Sequence, residues 1–234
     1  MQLKTDYLLI PQWVYPNLNA AFVDIGDKKE AFIHYLDLGL FFPAFDQFVR
    51  ESNSNTNLKD LYSRIKIGSA LPKEGRIEEY LRPGQMIVAQ IVKEPISTKG
   101  SRLTAEISLA GRNIVLLPFA DKVSISQKIG SKEEKRRLET LVRSILPKNY
   151  GAIIRTAAEG KNAATLVGET ESLIEKWENS WKKIAKNKNV QLLFTEYSKT
   201  TTVLRDLLND SFSNIWINDE RVRPSARPWP EAAR

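Results

Sequence analysis

"AAFVDIGDKKEAFIHY", Ala20 to Tyr35, reads as two strands around the polar turn Gly26-Asp27-Lys28-Lys29. Side chains alternate faces along a strand, so Ala21, Val23 and Ile25 share one face and Phe22 and Asp24 the other. In the second strand Ala31, Ile33 and Tyr35 oppose Phe32 and His34. If the Val/Ile sets face one core, paired positions must sum to an even number. That parity requires an odd loop, of three or five residues. The same register sets Phe22 beside Phe32 on the other face, with Asp24 and His34. Either a second layer covers the two rings, or they form a platform on which unstacked nucleic-acid bases sit.

The chain has 234 residues, enough for one large or two modest domains with a sizeable core. Its 42% hydrophobic and 27% charged content is ordinary for a globular protein. No apolar run approaches the ~20 residues that span a bilayer, and no signal-peptide pattern opens the sequence. No cysteine is present, so disulfides, thiolate nucleophiles and thiolate zinc sites are excluded, and one histidine cannot form an imidazole cluster. The expected compartment is the cytoplasm. Lys and Arg number 35 against 28 acidic residues, and a surplus of +7 favours polyanionic partners, nucleic acid above all.

Strands are predicted over Ala20–Ile25, Ala31–Tyr35, Met86–Lys93, Leu103–Leu109, Asn113–Phe119 and Lys122–Ser126. Between the second and third, "ESNSNTNLKDLYSRIKIGSALPKEG" reads as a long polar surface excursion. Short strands with one long insertion suggest a small barrel. "SKEEKRRLETLVRSILP" carries a capping box, Ser131 with Glu134, ahead of the apolar stripe Leu138, Leu141, Val142 and Ile145; Pro147 ends the helix. A buried strand, "YGAIIRT", precedes a long amphipathic helix bearing Leu166, Leu173, Ile174, Trp177, Trp181 and Ile184, whose tryptophans read as core. A strand "QLLFTEY" and a helix-like "TTVLRDLLNDSF" follow. Pro11 sits where a first barrel strand needs a ladder donor, and the proline-rich end "VRPSARPWPEAAR" is expected to be disordered.

Motifs for catalysis are scarce. No Gly-rich phosphate loop, nucleophile elbow or zinc spacing occurs. Asp206, Asp210 and Asp219 could converge on metal, as two-metal hydrolysis requires, yet a solvated helix face with Arg205 as neighbour accounts for them more simply. Phosphate-binding chemistry is better represented. Arg155 offers a planar two-oxygen fork beside the Thr156 hydroxyl. Gly111, in "SLAGRNIV", lets a backbone N–H approach a ligand closely. "PISTKGSRL" suggests an exposed hairpin tip with Lys99 and Arg102.

Together, "LNAAFVDIGDKKEAFIHYLDLG", "VKEPISTKGSRLTAEISLAGR", "VLLPFADKVSISQKI" and "GAIIRTAAEGK" resemble the ribonuclease E/G family of bacterial RNA-processing endonucleases, in its shorter, ribonuclease G-like form. "LRDLLNDSFSNIWINDE" continues the match, which runs collinearly from about Tyr15 to Arg221. The resemblance implies an α+β fold: an oligonucleotide-binding (OB) β-barrel over residues 1–105, with an insertion at about 50–79. A small α/β domain sensing RNA 5′-monophosphate ends would follow over 106–199, then a partial ribonuclease-H-like segment over 200–221 and a disordered tail over 222–234. It assigns RNA stacking to Phe22 and Phe32 and a basic RNA contact to Lys99. It assigns the phosphate pocket to Gly111, Val115, Arg155 and Thr156, the last two gripping the phosphate while the Gly111–Val115 segment shapes the pocket and positions the first base. The implied partner is single-stranded RNA with a 5′-monophosphate end, with no membrane. The family's metal-binding aspartates and Cys-x-x-Cys zinc link match nothing here, so magnesium, zinc and a homo-oligomer are expected only of a full-length member. The chain is therefore expected to be a truncated, RNA-binding portion, with its first barrel strand altered or missing. A stand-alone single-stranded RNA-binding OB protein and a small magnesium-dependent ribonuclease remain as alternatives.

Overall fold

The computed structural model describes residues 5–53, 55–186, 189–195, 213, 214 and 216, and over these the fold is mixed α+β. Strands β1 (Thr5–Tyr15), β2 (Ala20–Asp24) and β3 (Ala31–His34) lead into helices α1 (Phe42–Glu51) and α2 (Leu58–Arg64). Strands β4 (Ile87–Lys93), β5 (Arg102–Thr104), β6 (Leu109–Ala110), β7 (Ile114–Pro118) and β8 (Val123–Ile125) follow. Helix α3 (Lys132–Ile145), β9 (Tyr150–Ile154), α4 (Ala163–Lys186) and β10 (Gln191–Thr195) complete the described elements.

The first sheet runs β10-β1-β2-β3-β5-β4, and β1 also pairs with β4. Strand β1 manages both because it is long. Its Ile10–Tyr15 half pairs with β2 and its Asp6–Leu9 half with β4. The expectation of a missing first strand is thus corrected. Pro11 is tolerated because the ladder with β2 shifts register between Pro11 and Trp13, where an irregular step needs no donor from proline. The hairpin register is the one required by parity: Ala21 faces Ile33, Phe22 faces Phe32 and Val23 faces Ala31. Its turn is longer than expected, with seven residues (24–30) between the last paired positions, Val23 and Ala31.

The second sheet runs β6-β7-β9-β8, antiparallel except for β8 beside β9. One face, with Ile114, Ala152 and Ile154, is buried against Leu138 and Val142 of α3 and Leu166 of α4. Ser131 caps α3 as expected, accepting from the Glu134 N–H at 3.1 Å. Glu134 does not close the box. It takes both forks of Arg137 (2.6 and 2.7 Å) and the Gly160 N–H (2.9 Å), pinning the loop after β9 to α3.

The insertion is a surface excursion only in part: 66–74 are mostly exposed, but the stretch before them is built into the core. Asn57 caps α2, and Leu61, Tyr62 and Ile65 are buried. They pack with Phe45 and Phe48 of α1, Val88 of β4, Leu116 of β7 and Trp177 and Trp181 of α4. Tyr62 stacks on Trp181 with ring centroids 4.6 Å apart. Its hydroxyl accepts from the Phe119 N–H and donates to the Asn149 carbonyl, each at 3.0 Å. Burial pushes the Tyr62 and Tyr150 hydroxyls well above their ordinary titration range. Truncating any one of these aromatics to alanine would cost about 3–5 kcal/mol. The expected helix over "TTVLRDLLNDSF", the 200–221 segment, the tail and Asp206, Asp210 and Asp219 lie outside the described residues, apart from 213, 214 and 216.

Candidate RNA interface

Phe22 and Phe32 are directly opposed, half-buried, and meet edge to face with centroids 5.7 Å apart. Tyr15 adds a third ring, 5.5 Å from Phe22. On the reverse of the same strands, Ala21, Val23, Ala31 and Ile33 are fully buried. The hydrophobic core therefore lies behind the rings, which stay half-buried on the other face of the strands among the described residues. They border a groove of about 930 Å³ whose other walls include Lys28, Lys29, Lys93 and Lys99.

The tip carrying Lys99 is held by specific backbone features. A single bridge pairs Ile96 with Lys99, and Ser97 adopts a left-handed conformation (φ 51°). Lys29 donates to the Ser97 carbonyl, and the Phe32 N–H donates to the Ser101 carbonyl at 2.7 Å. Gly100 must be glycine, because a Cβ there would overlap the Glu30 carbonyl oxygen. Arg102, expected at this tip, lines the same groove and is also paired with Asp37 through Nε and Nη2 at 3.0 and 3.1 Å.

The second group lies at one end of the second sheet. Gly111, Arg112 and Asn113 form the turn between β6 and β7, with the Gly111 N–H donating to the Ile114 carbonyl at 2.8 Å. Arg155 follows β9; its N–H donates to the Asn113 carbonyl and its Nη1 to the Gly111 carbonyl, both at 2.8 Å. The adjacent Thr156 is exposed, and its hydroxyl lies 2.9 Å from that of Ser126. Val115 is half-buried, paired with Ala110 on one side and Ile153 on the other. The turn is braced from below by Glu169 of α4, which accepts from the N–H groups of Arg112 and Asn113. Gly111 meets a demand for space rather than for an unusual φ: a Cβ would collide with Glu169 Oε1 and stand 2.7 Å from the Ile114 oxygen.

The seven residues singled out from sequence thus fall into two groups, Phe22, Phe32 and Lys99 in the groove and Gly111, Val115, Arg155 and Thr156 at the turn. Sequence reading missed Glu169, Ser126 and the Lys93 wall. Nothing local marks Glu169, since its partners are 56 and 57 residues away. Among the described residues no group of three or more His, Cys, Asp and Glu side chains is placed to hold a metal ion. No helix among them is long and apolar enough to cross a membrane.

Comparison with known proteins agrees with the geometry. The family model described as "Ribonuclease E/G family" matches residues 108–231. Ribonuclease E of Nostoc sp. is 32% identical over 233 residues, covering 97% of this chain and 30% of that protein. Ribonuclease G of Haemophilus influenzae is 34% identical over 207 residues, covering 88% of this chain and 38% of its own length. Ribonuclease G of Escherichia coli is 33% identical over 205 residues, with the same shares. The chain spans about a third of the length of these curated relatives. On the matched segment and these identities together, the chain belongs to the ribonuclease E/G family.

Proposed function

We propose that this chain is the RNA-binding and 5′-monophosphate-sensing part of a bacterial endoribonuclease that acts in RNA processing and decay. The observation that carries this reading is the opposed Phe22–Phe32 pair, half-buried on the sheet face away from the core and bordering a groove in which Lys28, Lys29, Lys93, Lys99 and Arg102 outnumber Glu30 and Glu94. Flat rings beside cations suit unpaired bases and their backbone, each stacked base contributing roughly 1–3 kcal/mol. The two-sided pairing of β1 supports reading residues 1–105 as an OB barrel.

Residues 106–199 form the sensor in this proposal. The Arg155 guanidinium is aimed by its bond to the Gly111 carbonyl, and the Thr156 hydroxyl stands beside it on an exposed turn. A guanidinium and a hydroxyl supply charge-assisted hydrogen bonds to a terminal phosphate without a metal. A 5′-hydroxyl offers those groups no charged acceptor, and a triphosphate overfills the space. Cleavage, with magnesium and the zinc link implied by the resemblance, is proposed for a full-length family member.

Fluorescence anisotropy at fixed salt, with oligonucleotides differing only in the 5′ group, tests the reading. The 5′-monophosphate form should bind more tightly than the 5′-hydroxyl form. Arg155→Ala should erase that difference while leaving the 5′-hydroxyl affinity near the wild-type value, and Phe22→Ala should weaken both forms equally. Equal wild-type affinity for the two ends, with steep salt dependence, would instead favour a general single-strand binder.

A further inference from the structure

The second sheet has a face that α3 and α4 do not cover. In β7, Ile114 and Leu116 are buried while Val115 and Leu117 on the reverse are half-buried. In β9, Ile153 is the exposed member of an otherwise buried strand, at 39%. Ile153 is the register partner of Val115, so the two sit side by side on this open face. Arg155 continues β9 in extended conformation (φ −84°, ψ 162°), which by alternation puts its side chain on the face of Ile153, about 7 Å further along. The phosphate cup and this apolar strip are therefore one continuous surface.

The strip ends in a cleft. Leu117 and Ile153 form one wall of a cavity of about 220 Å³, and Leu40 and Phe41, from the segment between β3 and α1, form another. Leu40 is 51% exposed although it borders this apolar space. Lys122, Ser124 and Asp121 supply a polar rim. The volume falls below the roughly 300–1,000 Å³ that hold drug-sized ligands, and suits one flat ring system with a polar edge left at the mouth.

We infer that this cleft takes the second nucleobase of a 5′-monophosphorylated RNA, with Ile153 and Leu117 beneath the ring and Phe41 and Leu40 opposite. The inference rests on the proposed phosphate cup and extends it. With the terminal phosphate at Arg155 and the first base against Val115, the next position along the same face is Ile153. The sensor then reads a phosphate and a stacked dinucleotide, and RNA whose second nucleotide is held in a duplex is excluded.

The test walks an abasic nucleotide through positions one to four of a 5′-monophosphorylated oligonucleotide, using the whole chain. Wild type, Ile153→Ser and Leu40→Ser are compared by anisotropy, and thermal unfolding checks that both variants fold. Loss of the second base should weaken wild-type binding about fivefold, the low end for a stacked base because one wall is aliphatic. In Ile153→Ser the same loss should change affinity less than about twofold, while the preference for 5′-monophosphate over 5′-hydroxyl persists. If that preference is present but no abasic position responds to either substitution, the cleft assignment is overturned and the cup stands. A wild type without the preference removes the cup and the cleft together. If the serine variants alter only self-association and leave every RNA affinity unchanged, the cleft is a protein contact and the inference fails.

Discussion

Gly111→Ala tests whether the phosphate turn is held as the structure describes. The added methyl meets two obstacles, the carboxylate of Glu169 and the carbonyl oxygen of Ile114. The second is backbone within the same tight turn and must shift slightly in any case, so the obstacle that can swing away is the carboxylate. Doing so breaks its bonds from the Arg112 and Asn113 N–H groups. Hydrogen bonds to a charged group contribute about 1.5–3 kcal/mol each, and Glu169 is half-buried, so the lower figure applies and the loss is about 3 kcal/mol. Alanine returns about 0.4–1 kcal/mol by restricting the unfolded chain. The net expectation is a destabilisation of about 2 kcal/mol, measured by urea unfolding at neutral pH. The diagnostic comparison is a double-mutant cycle. Glu169→Ala removes the same bonds and also the carboxylate obstacle, so the sum of the single effects counts that loss twice and the double variant should be more stable than the sum predicts by about 3 kcal/mol. Because the Gly111 carbonyl also orients Arg155 at 2.8 Å, Gly111→Ala should reduce the preference for 5′-monophosphate as well. Strict additivity in the cycle, or a Gly111→Ala protein within about 0.5 kcal/mol of wild type, would refute this account of the turn.

Phe32→Leu keeps apolar volume beside Phe22 but removes a flat face; single-strand affinity should fall by about 1–3 kcal/mol whatever the 5′ group, with little change in melting temperature. Tyr62→Phe leaves the Phe119 N–H without its acceptor inside the core, and denaturant titration should show a loss of about 1–3 kcal/mol. Glu134 should make stability pH-dependent: the Arg137 guanidinium, then the Gly160 N–H, lower its pKa from 4.5 to about 2. A depressed carboxylate stabilises fully above the unfolded value of 4.5, and that contribution drains away as pH falls toward 2. The stability gap between wild type and Glu134→Gln, followed by urea midpoints, should therefore be present at pH 7 and shrink below about pH 4.5; a constant gap would contradict it.

The sequence exposed what alternation and local chemistry control. Strand parity put Phe22 and Phe32 on one face, because Val23 and Ile33 share a core only when paired positions sum to an even number; the turn then selects their direct pairing among the even registers. Ser131 was readable because a cap acts over three residues. Where partners lie far apart in sequence, the reading failed. Helix α2 looked like polar loop because Lys59, Asp60 and Arg64 are interspersed with Leu61, Tyr62 and Ile65 after an Asn- and Ser-rich lead, and only packing against α1, β4, β7 and α4 explains why those three are buried. Glu134 looked like half of a capping box, yet Arg137 and the Gly160 N–H outcompeted the helix end for its oxygens. Pro11 argued against a strand because the rule about ladder donors carries no knowledge of a bulge. Arg102 was readable as part of an exposed tip and does line the groove, but its pairing with Asp37, 65 residues earlier, was not readable.

The mistaken reading of the insertion bears directly on function. Tyr62, Phe48 and Trp181 belong to a core that also includes Val88 of β4 and Leu116 of β7. Strand β4 belongs to the same sheet as the aromatic pair, and β7 leads out of the turn that orients Arg155. The insertion is therefore the packing through which the two halves of the proposed interface share a fixed relation. That relation matters energetically because each contact is modest alone. Thr156 is exposed, the rings are half-buried, and a single terminal phosphate competes with solvent for its donors. On the proposed function, however, an RNA strand held in the groove presents its 5′ end to the turn as an intramolecular partner at high effective concentration, provided the spacing is kept. A fixed spacing turns a small preference for phosphate into discrimination between whole RNA molecules. A mobile one would dilute it, even with every contacting side chain intact.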